Sequence, residues 1–167
     1  MDARIDQVVT SGEVTEDGTA HKMENNTWII GDDSEVIVID PGHDAQAVLE
    51  IVDDREVIAV ICTHGHPDHV MAAIKAAERD EAPIALHPRD LPFWRDTHDE
   101  EPDIEMADGG IFEVADVALE VICSPASSTR ATTKPFSCSS RPTSIRRPCA
   151  LTSWLEWLKS LKQAGRP

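Results

Sequence analysis

The stretch "THGHPDH" places three histidines and an aspartate directly after a short apolar run. Imidazole nitrogens and carboxylate oxygens are ligands that zinc takes in proteins. His64 and His66 alternate across an extended turn with Gly65 between them, so both rings can face one ion. Asp68 and His69 start the next helix and offer two further donors, and this number of donors suits two adjacent ions better than one. An open coordination position lowers the pKa of bound water to about 7, which predicts hydrolytic chemistry.

An alternative interpretation is a solvated turn in which Asp68 caps a helix that begins at His69. Capping explains neither the three histidines nor their spacing. We therefore predict a metal site at His64, His66, Asp68 and His69, with Asp68 also a candidate catalytic residue. The other four histidines stand alone and are interpreted as surface or packing residues: His21, His43, His87 and His98.

Hydrophobic patterns predict the elements that position this stretch. "EVIAVIC" is typical of a strand covered on both faces, and "HVMAAIKAAERDE" of an amphipathic helix that begins at His69. Upstream, the patterns predict a strand at "QVVTSG", strands over 27–31 and 35–40 joined by a Gly-Asp-Asp-Ser turn, and a helix at "DAQAVLEIV". Downstream they predict a strand at "APIALH", a short helix at "PRDLPFWRD" and two strands around a turn near Asp116. This order predicts a mixed α/β sheet with helices packed outside it.

The H-x-H-x-D-H pattern after a hydrophobic strand resembles the signature of the metallo-β-lactamase superfamily, in which Thr63 is also usual. "ENNTWIIGDDSEVIVIDPG" resembles the N-terminal hairpin of its hydrolases, and "APIALHPRD" the strand after its metal helix. The resemblance covers residues 6–125 and implies an αββα sandwich. It implies that His64 and His66 serve a first metal, that Asp68 and His69 serve a second, and that a bridging hydroxide attacks a carbonyl.

The resemblance also bears on Asp40, which ends the second hairpin strand in an Asp-Pro-Gly turn. Three roles are open for it: metal ligand, turn residue, or a residue that orients a ligating histidine. The resemblance favours the orienting role, which suits the need to fix imidazole tautomers.

The same resemblance implies an activity and a cofactor. The chain shows no signal peptide, so it is more similar to glyoxalase II-type thioesterases than to secreted antibiotic-degrading lactamases. His66, where flavo-diiron oxygen reductases usually carry Glu, favours hydrolysis of a thioester or ester. We expect one or two zinc ions, with iron or manganese as alternatives. The alternative functions are an iron-dependent sulfur dioxygenase and a non-catalytic metal-binding or interaction protein.

The resemblance fails after residue 125. The family continues such a strand with Thr/Ser-Pro-Gly-His and later supplies a Gly-Asp and a final histidine. Here Ala126 and Ser127 follow Ser124-Pro125, and no histidine occurs after His98. The family pattern is therefore incomplete in this chain.

The composition changes at the same place. Residues 1–123 hold 7 Lys and Arg against 30 Asp and Glu, whereas residues 124–167 hold 8 against 1. We therefore divide the chain into an N-terminal metallo-β-lactamase-like part, 1–123, and an irregular basic tail, 124–167, with a helix predicted over 151–163. One hypothesis is that the reading frame slips near residue 125. The other is that the tail is genuine and the protein has diverged. In the non-catalytic alternative, the basic tail contacts the acidic body of the chain or of a partner.

Composition excludes several classes of partner. The formal net charge of −16 opposes nucleic-acid binding, which relies on Lys and Arg. No stretch approaches the roughly 20 apolar residues of a membrane helix. The four cysteines form no C-x-x-C pair, which fits reduced thiols. We expect a cytoplasmic protein with a small-molecule substrate, and the sequence assigns no oligomeric state.

Overall fold

The computed structural model of the protein describes residues 2–16 and 18–123. The predicted basic tail, 124–167, and its predicted helix, 151–163, lie outside these residues. No helix in the described part is long and apolar enough to cross a membrane.

A six-stranded sheet organises the described part, and its strands follow one another in chain order. The first three strands pair antiparallel, and the third to the sixth pair parallel. Because the carboxyl ends of parallel strands meet at one edge of a sheet, the segments after the third, fourth and fifth strands are neighbours. The six strands are β1 (Arg4–Glu16), β2 (Thr19–Gly31), β3 (Glu35–Ile39), β4 (Glu56–Ile61), β5 (Ile84–Leu86) and β6 (Ile104–Glu105).

Short helices connect the parallel strands, and a separate antiparallel hairpin follows them. Asp44 caps the first helix, because its carboxylate accepts a hydrogen bond from the Ala47 N–H at 3.1 Å. The helices are α1 (Ala45–Val52), α2 (Pro67–Val70), α3 (Ala73–Glu78), a 3-10 turn (Pro88–Asp90) and α4 (Leu91–Arg95), and the hairpin is β7 (Ile111–Val114) with β8 (Val117–Glu120).

The core lies where helices α1 to α4 pack on the sheet. The middle strands are almost entirely buried, as the continuous β-branched runs predict. Trp94 of α4 is fully buried, and its indole N–H donates to the Glu100 carbonyl at 2.6 Å. The largest buried side chains are Trp94, Ile29, Ile30, Ile37, Leu86, Val36, Val38, Val48, Val52, Val57, Val60 and Val70.

The predicted mixed α/β sheet is confirmed, and so are the strands and helices placed from their hydrophobic patterns, with differences in length. The first hairpin has thirteen-residue arms, longer than predicted, since residues 19–24 are exposed and carry no hydrophobic alternation. The two-residue strand β6 was not predicted.

The predicted start of the helix after the histidines was wrong. The helix begins at Pro67 rather than His69 and is interrupted before Ala73. His66 is its N-cap residue and no side chain caps it, so the capping role considered for Asp68 was wrong too. Proline fits the first helical position because its missing N–H would have no helical partner there.

Trp94 and Phe93 are adjacent residues of α4 with opposite environments, which allows a matched test of the core. Phe93 is 39% exposed and Trp94 is fully buried. We expect Trp94→Ala to lower the free energy of unfolding by about 3–5 kcal/mol, because it leaves a cavity. Phe93→Ala is the control, with an expected loss below about 1 kcal/mol. Urea denaturation measures both, and equal losses would contradict the assigned packing.

Candidate metal centre

Asp40 joins the end of β3 to the loop after β4. Its Oδ1 accepts the Thr63 N–H at 2.7 Å, and its Oδ2 accepts the Thr63 hydroxyl at 2.6 Å. Asp40 is buried and adopts a positive φ of 50°, so the chain turns sharply there. The two strands are parallel neighbours, with Ile39 opposite Ile61. The sheet register therefore sets where the histidine loop begins.

Gly65 lets the segment after β5 lie directly against the histidine loop. A Cβ at this position would be 2.5 Å from the Asp90 carbonyl oxygen and 3.1 Å from the Trp94 nitrogen. In the motif, Gly65 stands between two histidines. The structure gives it a second role, because neighbouring backbone occupies the space that a Cβ would need. Gly65 allows the close approach that brings the Phe93 ring within 5.1 Å of the His66 ring, centroid to centroid.

The structure brings two of the four predicted donors, His64 and His69, into one compact set with Asp40, whereas His66 and Asp68 lie beside this set. The ring centroids of His64 and His69 are 4.0 Å apart, and those of His64 and His66 are 4.8 Å apart. Asp68 Oδ2 lies 3.4 Å from His69 Nε2, about the separation of two donors held tetrahedrally on one ion at 2.0–2.1 Å. Among the described residues, Asp40, His64 and His69 form a group whose ligand atoms all lie within 4.8 Å of one another, and this group includes neither His66 nor Asp68. The chemistry and spacing of this donor set fit a divalent metal ion.

Hydrogen bonds orient the two central imidazoles. His69 Nδ1 donates to Asp40 Oδ2 at 2.9 Å. The Thr63 hydroxyl gives its proton to Asp40, so His64 Nδ1, 3.0 Å from that hydroxyl oxygen, must be the donor of their contact. Both rings therefore keep Nε2 available for a metal.

These contacts favour one of the three roles considered for Asp40. Both of its carboxylate oxygens already accept hydrogen bonds from Thr63 or His69. Although Asp40 belongs to this donor group, its oxygens are occupied in holding the loop and one imidazole. The contacts are those of an orienting residue, and ligation itself stays a prediction for His64, His66, Asp68 and His69.

The two central imidazoles titrate differently. Burial, together with the charge of His69, lowers the pKa of His64. Burial also acts to lower the pKa of His69, but its hydrogen bond to Asp40 and the charges of Asp40 and Asp68 outweigh this and raise it. His64 is therefore the readier of the two to bind a cation at neutral pH, since only neutral imidazole is a ligand.

The sequence did not predict that the first hairpin contributes a buried polar residue, Asn25, to the site. Asn25 is buried, and its amide nitrogen lies 3.5 Å from His69 Nδ1. The Gly42 N–H donates to the His69 carbonyl at 3.1 Å, and the Gly42 carbonyl accepts the Ala72 N–H. The available signal was the inward alternation of two polar residues, Asn25 and Thr27, along β2.

Two isolated histidines have structural partners. His87 Nδ1 accepts the Arg89 N–H at 3.2 Å, which caps the 3-10 turn. His98 packs its ring against Trp94 and places Nε2 at 2.8 Å from the Val70 carbonyl oxygen. The packing interpretation of these residues agrees with the geometry.

Comparison with known proteins agrees with the architecture. The model of the family described as "Metallo-beta-lactamase superfamily" matches residues 23–129, more than half of the chain. The chain therefore belongs to the metallo-β-lactamase superfamily, and the predicted α/β fold of that type is confirmed. This membership supports a metal-dependent, hydrolase-type fold.

Individual relatives match only part of their own length. An uncharacterized protein of Aquifex aeolicus is 32% identical over 114 residues, 60% of this chain and 54% of that protein. A hydroxyacylglutathione hydrolase of Albidiferax ferrireducens is 34% identical over 105 residues, 60% of this chain and 40% of that protein. The solved metallo-beta-lactamase from Pontibacter korlensis shares the fold at 17% identity and a TM-score of 0.52, covering 71% of this chain and 59% of its own. The chain thus spans about half, or less, of the curated relatives it matches.

Asp40→Asn tests the orienting role. The amide keeps the size of the side chain, but its NH₂ group faces the Nδ1–H of His69 or the Thr63 hydroxyl without accepting their protons. We expect about a 10- to 100-fold loss of zinc affinity, measured by competition with a chelator. Asp54→Asn, at an exposed position, is the control. Unchanged affinity in a folded Asp40→Asn variant would refute the role.

The raised pKa of His69 predicts pH-dependent metal binding. A proton on Nε2 must leave before that atom can bind a cation, so affinity is highest above the His69 pKa and falls as pH drops through it. We expect calorimetry in two buffers of different ionisation enthalpy to show more proton release at pH 6 than at pH 8. Equal release at both values would show that His69 carries no proton to displace.

Proposed function

We propose that this chain is a metal-dependent hydrolase that cleaves a thioester or ester of the hydroxyacylglutathione type. The observation that carries the proposal is the donor set of His64 and His69 with Asp40, flanked by His66 and Asp68, where β4 gives way to α2 within a metallo-β-lactamase fold. The four residues of the histidine loop are almost consecutive. β4 and the turn that follows it therefore place them near one another, and Asp40 orients the imidazole of His69.

A bound divalent ion would supply a Lewis acid and an activated water, which is the chemistry that acyl hydrolysis requires. The residues of the chain position the atoms that would bind this ion. Thr63 and Asp40 hold the imidazoles of His64 and His69 with Nε2 available, and Asp68 adds a carboxylate 3.4 Å from His69 Nε2. We assign Asp68 the double role of ligand and catalytic carboxylate.

The choice of metal and substrate rests on less specific support. A site dominated by imidazole suits zinc, and also iron, so zinc is our first choice and iron or manganese are alternatives. The hydroxyacylglutathione hydrolase among the relatives favours a small thioester substrate. The excess of carboxylates in residues 1–123 argues against nucleic-acid partners. A cytoplasmic location stays a prediction.

A second candidate function is metal binding without turnover. The observation in its favour is that the sequence contains no histidine after His98 and has Ser127 where the family resemblance calls for one. A site with fewer imidazole donors holds its ion more weakly and orients water less well.

One experiment separates the two candidates. The protein is dialysed with and without zinc, its metal content is measured by mass spectrometry, and hydrolysis of S-lactoylglutathione is followed by loss of thioester absorbance. Zinc together with turnover supports the hydrolase, and zinc without turnover supports the second candidate. Protein that retains no metal contradicts both.

The paired variant His64→Ala/His66→Ala identifies the site responsible. We expect it to lose the bound zinc and any hydrolytic activity, because two of the donors are removed. His21→Ala is the matched control, since His21 is exposed on the outer part of β2. Retention of zinc by the double variant would place the metal elsewhere.

A further inference from the structure

We propose that His98 is a positioning residue of the metal centre: it donates a hydrogen bond to the end of α2, the helix that carries Asp68 and His69. This inference rests on the proposed metal centre and adds to it a side chain that is not itself a ligand. His98 follows α4 and stands 28 residues after Val70, its hydrogen-bond partner.

The helix that carries Asp68 and His69 is interrupted directly after them. α2 ends at Val70, the residue after His69, and α3 begins only at Ala73. The last four carbonyls of a helix have no partner within it, and α2 has only four residues. Because buried backbone groups need partners, this short helix depends on hydrogen bonds from other segments.

Two other segments supply these hydrogen bonds. The Gly42 N–H donates to the His69 carbonyl at 3.1 Å, and the Gly42 carbonyl accepts the Ala72 N–H at 2.9 Å. His98 places Nε2 at 2.8 Å from the Val70 carbonyl oxygen. A carbonyl oxygen only accepts, so Nε2 carries the proton and donates. Gly42 and His98 therefore hold the end of α2 from separate parts of the chain.

The ring of His98 is itself held in place. It packs on the indole of Trp94 with ring centroids 4.3 Å apart. Trp94 is fully buried, and its N–H donates to the Glu100 carbonyl. Val70 is fully buried as well, so bulk water does not replace His98 at its carbonyl. His98 thus connects the core around α4 to the residue that follows His69.

The other isolated histidines do not make such a connection. His87 caps its own 3-10 turn, and His21 is exposed. The ring of His43 packs against Gly12, where a Cβ would lie 2.5 Å from the His43 Cγ. Within the described part of the chain, His98 is the isolated histidine whose ring is hydrogen-bonded to α2.

The position of His98 matters because separate contacts hold the two central imidazoles. His64 is oriented through Thr63, on the loop after β4, whereas His69 belongs to α2. A shift of α2 therefore moves His69 and Asp68 relative to His64. Residues that orient ligands through such contacts typically change metal affinity by about 10- to 100-fold when they are replaced.

Two substitutions separate the hydrogen bond of His98 from its packing. His98→Phe keeps an aromatic ring against Trp94 but removes the donor. His98→Gln removes the ring but brings an amide N–H close to the place of Nε2. Cobalt(II) is the probe for the full chain, because its visible absorption reports the arrangement of its ligands.

We expect His98→Phe to lower the affinity for cobalt by about tenfold, measured by chelator competition, and to change the visible spectrum. We expect His98→Gln to recover both affinity and spectrum, although urea denaturation should show that it is less stable. His21→Phe and His21→Gln are the controls, and circular dichroism checks that each variant is folded. If His98→Phe does not fold, His98→Leu replaces it as the variant without a donor.

Each result bears on the inference. Unchanged affinity and spectrum in the variant without a donor would overturn it, and so would weakened binding that His98→Gln does not recover, since packing would then be the whole role. Loss of cobalt in His64→Ala/His66→Ala with no effect at His98 would reject only this inference and leave the proposed function standing. Retention of cobalt by the His64→Ala/His66→Ala variant would count against the proposed function itself.

Discussion

The buried carboxylate of Asp40 is the interaction on which the site depends. Its two oxygens accept hydrogen bonds from the Thr63 N–H, the Thr63 hydroxyl and His69 Nδ1. Hydrogen bonds to a charged group contribute about 1.5–3 kcal/mol each, and a buried carboxylate without them would be strongly unfavourable. Asp40 therefore links the loop after β4 to α2, and each contact stabilises the others. A one-residue slip between β3 and β4 would remove all three contacts, so the sheet register also fixes the imidazoles.

Much of this could be predicted from the sequence, because the signals were local. The donors lie within seven residues, β4 is a continuous β-branched run, and Asp44 stands directly before the helical spacing of α1. The end of β3 at Asp40 was predicted to within one residue, and the family resemblance pointed to an orienting role. Such patterns describe a chain segment and its immediate neighbours, which is where the prediction was accurate.

The remaining features depend on contacts between distant segments. Asn25 approaches His69 across 44 residues of sequence, and the need for glycine at Gly65 arises from the backbone around Asp90 and Trp94. Periodic patterns in the sequence do not reveal contacts between residues that lie so far apart along the chain. The exposed outer part of the first hairpin was missed for a different reason: neither face of it is buried, so it shows no alternation. The role of an isolated histidine such as His43 can likewise be inferred only when the position of its ring is known.

The distribution of charge gives the donor cluster its electrostatic setting. Among the described residues, four arginines of the acidic part form ion pairs with carboxylates: Arg4, Arg55, Arg79 and Arg95. Pairing neutralises these cations locally, so the unpaired carboxylates dominate the field. Such a field favours capture of divalent cations and slows the approach of anionic molecules, most strongly at low ionic strength. Metal binding is thus the part of the proposed chemistry that both the local geometry and the overall charge favour, whereas an anionic thioester must be drawn to the site by the bound cation itself.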